Sequence, residues 1–302
     1  MASRRNFLSG MLGLSAGLVG VPSLTRASDN WVSHDAAVDG GADSYFSFGT
    51  LNGAPQIWAA HNAGHPYCCR LSPDGRLLRL ELRAGDQWPD EARLAIKDER
   101  SLVQAMTGVG SHVSQALPMA SDIWWAFSFL VEPGPPVSSL GPGYGWLILA
   151  DIHSDFKASH ARAVPIQFEL DAGDIFTVQA HGSNLHPDNA PSVIYATPQP
   201  FGRGRWHDLV VRLNMDPQAT GGQGGADVFL DGERIVAYAG PLGFVGDLPY
   251  PQFQIYRGNP SPQTLTHESL AVRYANHEIV TRGSLAARVR RPANRPANGR
   301  VE

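Results

Sequence analysis

Only two of the 302 residues are cysteine, and they are neighbours, Cys68 and Cys69. Adjacent cysteines close an ordinary disulfide only under severe strain, so no cystine framework staples this fold. Both are read as core or edge residues. Helical periodicity is nearly absent after the first two dozen residues, which argues against helical bundles and α/β layers. Charge is sparse, at 17% of the chain, and positive charge is scarcer still where a fold would form: residues 28–284 hold 16 basic and 27 acidic side chains, a net of −11. A body of that sign is a poor general nucleic-acid binder, and any polyanion it handles needs a locally basic cleft. His61 and His65 have the spacing of a helical metal pair, but Gly64 and Pro66 break the helix it would need. No metal or cofactor is expected, and a structural calcium is not readable from the residues. Long apolar runs are also missing, except one.

That run, Met11 to Leu24, is short and rich in Gly and Ser, which makes a poor membrane span. It follows Ser3-Arg4-Arg5-Asn6-Phe7-Leu8 and leads to Thr25-Arg26-Ala27. A charged start, a short apolar stretch and small residues before a cut make a removable signal, and the paired arginines make it the twin-arginine kind. Residues 1–27 are therefore expected to be a signal peptide, with the mature chain periplasmic or secreted and free of the membrane. Residues 285–302 hold five arginines and one acid and are expected to form a disordered basic tail. Between them, residues 28–284 suit one large all-β domain, expected as a monomer.

Short runs rich in β-branched and aromatic residues fill that domain, punctuated by 32 Gly and 23 Pro. Leu77–Leu82, Ile123–Val131, Trp146–Ala150, Val164–Leu170, Ile175–Ala180, Leu209–Leu213, Val228–Leu230 and Leu270–Tyr274 are the clearest strands. Asp171-Ala172-Gly173-Asp174 is expected to close one hairpin, and Asp231-Gly232 supplies the positive φ of a tight turn. The pattern is that of an antiparallel β-sandwich or jelly roll. Trp125, Phe127, Phe129, Leu147, Leu149, Phe168 and Leu170 are the expected core. Strand period two puts Asp151 and His153 on one face, and Tyr250, Gln252, Gln254 and Tyr256 on another strand's single face. Gln167 and Glu169 fall on the polar side of their strand.

Three segments carry chemistry: Glu99-Arg100-Ser101-Leu102, Asp151-Ile152-His153 and Tyr250-Pro251-Gln252-Phe253-Gln254-Ile255-Tyr256. Here the sequence resembles the jelly-roll polysaccharide lyases, the alginate, glucuronan and heparin-lyase-like group. Supporting stretches run from about Leu77 to Val280. The resemblance implies a concanavalin-like sandwich with a concave glycan-binding groove, and β-elimination on a uronic-acid-containing polysaccharide. It implies that Arg100 clamps the sugar carboxylate, that His153 is base or charge neutraliser, and that Tyr256 protonates the leaving oxygen. Arg83, Asp151, Gln167, Gln179, Tyr250, Gln252 and Gln254 are the implied substrate-binding residues. The sequence departs from the family pattern at Asp151, where a Gln is usual, and at Gln252, Gln254 and the residue after Ser101. Two other readings stay open. One is a non-catalytic carbohydrate-binding sandwich. The other is a jelly-roll glycoside hydrolase using Glu169, Asp171 and Asp174, against which the Asp171–Asp174 turn speaks.

Overall fold

The computed structural model describes residues 31–33, 45–61, 65–83, 101–106, 116–137, 146–153, 164–182, 192–217, 224–257 and 269–290. They belong to one compact unit that begins at Trp31. The signal expectation for residues 1–27 lies outside the described residues.

Two antiparallel sheets are stacked on a single aromatic core. The first has the order β11 (Ser192–Ala196), β10 (Ile175–Ala180), β9 (Ile166–Asp171), β8 (Trp146–His153), β15 (Tyr250–Arg257), β6 (Ser101–Met106), β3 (Ala54–His61) and β2 (Tyr45–Leu51). In the second, β1 (Val32–Ser33) and β4 (Cys69–Leu71) lead through β5 (Leu77–Leu82) to β16 (Leu270–Val280). β7 (Asp122–Val131), β12 (His207–Asn214), β13 (Gly225–Leu230) and β14 (Glu233–Ala239) complete it. The sheets join at β2, which runs antiparallel to β3 and parallel to the end of β16.

Alternation decides what lies between them. Trp125, Phe127 and Phe129 of β7, Leu147 and Leu149 of β8, and Phe168 and Leu170 of β9 are all buried, as their period-two spacing requires. Phe253 of β15 stands 5.0 Å from Phe127 and 4.5 Å from Tyr274 of β16, centroid to centroid. Tyr274 crosses the core to donate its hydroxyl to Leu149 O at 2.8 Å, with Gln254 O at 3.2 Å. A phenol this deep needs such a partner, since an unmade hydrogen bond there costs about 1–3 kcal/mol. Cys68 and Cys69 are buried in the same core and form no disulfide.

The turns follow their residues. Asp231 and Gly232 have φ of 52° and 89°, forming the two-residue link between β13 and β14 that matches strand twist. Gly173 and Asp174 also have positive φ and turn β9 into β10. Asp174 is held there by Arg203, which donates to both carboxylate oxygens at 2.7 Å. That takes Asp174 out of the strand on which the hydrolase reading depends.

The basic tail begins later than the composition suggests. Leu285 is buried with Ala126 and Val210, and Val289 packs on the same cluster from a short helix, α1 (Ala286–Arg290). Leu285 and Val289 are four apart, one helical face, and this apolar pair anchors residues 285–290 on the fold. Residues 291–302 lie outside the described residues. Among the described residues, no helix is long and apolar enough to cross a membrane.

Candidate active site

The outward face of the first sheet is polar where a solvent-facing strand would be mixed. On β15, Phe253 and Ile255 enter the core, which turns Tyr250, Gln252, Gln254 and Tyr256 the other way. On β8, Leu147 and Leu149 face the core, an irregularity between Ile148 and Ala150 then reverses the parity, and Ala150 and Ile152 go in while Asp151 and His153 go out. Register then assembles a row across four strands: Gln252 lies opposite Asp151, Asp151 opposite Gln167, and Gln167 opposite Gln179. One step along, Tyr250 lies opposite His153, their rings 5.4 Å apart. Six of the residues singled out from the sequence thus meet on one surface with His153, and Tyr256 follows two positions beyond Gln254.

Apart from the partly exposed His153 and Tyr256, these side chains are buried, Gln252 completely and Asp151 to 99%, so they bond to one another. Gln254 Nε2 donates to Asp151 Oδ2 at 2.5 Å, and Gln252 Nε2 donates to Gln254 Oε1 at 3.2 Å. His153 Nδ1 is 3.6 Å from the same Asp151 oxygen. Burial raises the Asp151 pKa, while His153 and then Gln254 pull it back. Asp151 Oδ1 and Gln252 Oε1 have no hydrogen-bond partner among the described residues. They are buried acceptors whose hydrogen-bonding capacity is not filled there.

Glu169, absent from the expected site, sits at the centre of a second cluster. Gln167 and Gln179 each donate Nε2 to one of its oxygens at 2.5 Å, and Gln167 also reaches Gln179 Oε1 at 3.1 Å. Burial raises its pKa to about 8, with the acids Asp171 and Asp151 adding to the shift. A protonated Glu169 is accommodated by turning one amide so that its oxygen accepts. Alternation placed Glu169 on the polar face with Gln167, but only the register of β10 supplies its second partner, Gln179.

Arg83 is elsewhere, which corrects the expectation that it lines this face. Leu78, Leu80 and Leu82 take the core side of β5, so Arg79, Glu81 and Arg83 turn to the outer side of the second sheet. There Arg83 donates to Glu81 at 2.8 Å and covers the Tyr67 ring at 3.7 Å. Arg100 lies outside the described residues. Among the described residues, no group of three or more His, Cys, Asp or Glu is placed to hold a metal ion.

The arrangement offers acid–base chemistry: an imidazole backed by a buried carboxylate, a phenol on the next strand, and amides around them. Comparison with known proteins gives one family match. The family model described as polysaccharide lyase covers residues 46–271. No curated protein sequence matches. Among solved structures, the endo-β-1,4-glucuronan lyase of the fungus Trichoderma reesei is similar at 9% identity and a TM-score of 0.46, over 82% of this chain and 93% of that one. The alginate lyase from Corynebacterium sp. is similar at 11% identity and a TM-score of 0.47, over 83% and 93%. An alginate lyase from polysaccharide lyase family 7 is similar at 13% identity and a TM-score of 0.45, over 78% and 93%.

Proposed function

The chain belongs to the polysaccharide lyase family, and from that premise we propose that it cleaves an acidic, uronic-acid-containing polysaccharide by β-elimination on the polar face of β8, β9, β10 and β15. One observation carries this reading: the imidazole of His153 lies 3.6 Å from the buried Asp151 carboxylate and its ring 5.4 Å from that of Tyr250 opposite it, while Tyr256 lies further along the same face of β15, opposite Ile148. Elimination from a uronic acid removes the C5 proton next to the carboxylate and expels the sugar bonded through O4. His153 takes the C5 proton. The C–H electron pair becomes the C4–C5 double bond, the C4–O bond breaks, and, by resemblance, Tyr256 gives its hydroxyl proton to the departing oxygen. Asp151 holds the imidazole and stabilises its cationic form as it appears. Gln252 and Gln254 offer hydrogen bonds to sugar hydroxyls. By resemblance, Arg100 neutralises the substrate carboxylate, a role that enters from the sequence alone.

The face carries less negative charge than its three acids would give. With a pKa of about 8, Glu169 is mainly the neutral acid at pH 7, so one carboxyl of the row Asp151, Glu169, Asp171 is silent when a uronate arrives. Two full charges 4 Å apart would otherwise repel by roughly 4 kcal/mol at an effective dielectric of 20.

The test is ultraviolet absorbance during incubation with polyglucuronate, polymannuronate and polyguluronate. Elimination creates a double bond conjugated to the carboxylate, which absorbs; hydrolysis does not. Growth of that band on at least one polymer is expected, and reducing ends released without it would refute β-elimination. We propose also that residues 1–27 direct twin-arginine export. Arg4→Lys with Arg5→Lys is expected to retain the protein in the cytoplasm, and undiminished export of that variant would refute the assignment.

A further inference from the structure

The outer face of the second sheet holds a cleft that the active face does not use. Its walls follow from parity. Val211 and Leu213 of β12 enter the core, as do Ile123 of β7, Val228 of β13 and Val236 of β14. Asp122, Arg212, Asn214 and Asp227 therefore turn outward. The floor follows from register. Asn214 lies opposite Gly225 and Gly225 opposite Ala239, while Arg212 lies opposite Asp227 and Asp227 opposite Ala237. Gly225, Ala237 and Ala239 bring a methyl group or nothing to the outer face, which leaves a cleft of about 280 Å³ between them and the polar walls. That volume is at the small end of ligand pockets. It has room for one sugar ring, not for a stretch of polymer.

The charged groups of the cleft keep hydrogen-bonding capacity to spare. Arg212 donates from Nη2 to both oxygens of Asp122, at 2.9 and 3.2 Å. Its Nη1 is 3.7 Å from one oxygen of Asp227, and Arg234 Nη1 is 3.6 Å from the other. Neither distance is a hydrogen bond, so the Asp227 carboxylate keeps its acceptor sites and Arg212 Nη1 keeps its donors. Arg212 and Asp122 are about half exposed, and pairs that open contribute little to folding. The two arginines and two aspartates cancel, so net charge draws neither an anion nor a cation here. A sugar hydroxyl needs two partners at once, an oxygen to donate to and an N–H to accept from. Asp227 and Arg212, directly opposite each other on neighbouring strands, offer that pair to a vicinal diol.

We propose that this cleft is a non-catalytic glycan site, which holds one pyranose ring by a vicinal diol between Asp227 and Arg212, over the floor of Gly225, Ala237 and Ala239. It belongs to the other sheet from His153 and does not rest on the elimination chemistry. Because the cleft is neutral, a plain sugar and a uronate both fit, and binding is nearly independent of salt. A glycan held there stays at the protein between encounters with the active face, which raises the local concentration of its bonds.

The test uses the full-length protein silenced by Tyr256→Phe and saturation-transfer NMR with the methyl glycosides of glucose, mannose and glucuronic acid. At least one glycoside is expected to bind, with a dissociation constant of about a millimolar. Asp227→Ala and Arg212→Gln should each weaken it about tenfold, the worth of one charge-assisted hydrogen bond. Their thermal melts should hardly move, since exposed ion pairs carry little of the fold. Ala239→Trp fills the cleft without altering a charge and should abolish binding. In the otherwise wild-type protein, Ala239→Trp should leave kcat on a short uronate oligosaccharide unchanged. No binding of any glycoside, or equal binding in Asp227→Ala and Ala239→Trp with intact melts, would overturn the proposal. So would a fall in that turnover, or binding of the glucuronide alone that salt abolishes, the mark of an anion site. Calcium chloride that raises the melting temperature of the parent protein but not of Asp227→Ala would assign the cleft to a cation instead. Should glycosides bind through Asp227 while the wild-type protein cleaves no polyuronate, this site stands and the elimination reading falls.

Discussion

Replacing Glu169 by Gln should make the protein more stable, and increasingly so as pH rises. Glu169 is 98% buried between two amides, and burial together with Asp171 and Asp151 lifts its pKa from 4.5 to about 8. Each pH unit of such a displacement is worth about 1.4 kcal/mol, so holding this group as an anion costs the fold about 5 kcal/mol. The sign follows from which state ionises first. Below pH 4.5 the group is protonated in both folded and unfolded chains, and its contribution is fully present. Between 4.5 and 8 the unfolded chain releases the proton and the folded one keeps it, so stability drains away, by about 2 kcal/mol at pH 6 and about 4 at pH 8. Gln at this position has the same shape, keeps hydrogen bonds to Gln167 and Gln179, and carries no proton to lose. Urea unfolding of wild type and Glu169→Gln across pH 5 to 9, read by tryptophan fluorescence, measures the difference. The two stability curves should diverge with rising pH. Parallel curves would show that Glu169 is ionised in the folded protein, and the argument for a neutral acid on the active face would go with it.

Asp151→Asn should lower turnover about tenfold or more, because the imidazolium of His153 loses the carboxylate 3.6 Å away; a rise in elimination rate would mean that Asp151 only repels substrate. His153→Ala and Tyr256→Phe should each cost about two to four orders of magnitude in turnover with melting temperatures little changed, and near-wild-type rates in both would remove the acid–base assignment. His277, enclosed by Phe48, Trp58 and Phe253, is driven to a pKa of about 3, chiefly by burial and then by Arg288. Because the unfolded chain takes up the proton first, stability should fall by about 5 kcal/mol as pH drops from 6.5 toward 3. His277→Phe should flatten that acid limb, and an equally steep limb in the variant would place the loss elsewhere.

The strands and their inward residues were legible because period two is a local property: Trp125, Phe127 and Phe129 need no partner to declare which face is apolar. The active face was half legible for the same reason. Parity put Asp151 with His153 and Gln252 with Gln254, and the family resemblance said that these strands matter. Whether Gln254 reaches Asp151, or Gln179 reaches Glu169, depends on strand register, which non-local packing sets and no short window of residues reveals. Arg83 shows the limit most plainly. The leucines at 78, 80 and 82 say that Arg83 points outward, but not which of the two sheets owns the strand. Leu285 and Val289 were overlooked because two apolar residues among arginines look like noise until a surface is there to receive them.

The position of β16 has a consequence for how the molecule is made. It is the last of the described strands, yet Tyr274 lies opposite both Phe129 and Leu78, and Glu278 lies opposite Thr50. Until residues 270–280 leave the ribosome, β2, β5 and β7 have no common neighbour, and the core lacks the phenol that joins Leu149 to Gln254. Such distant pairings make folding slow and keep it waiting on synthesis. A chain that stops early is therefore an open sheet with unpaired edges, ready for aggregation or proteolysis. Nascent and truncated chains are set apart from finished ones by this one late strand.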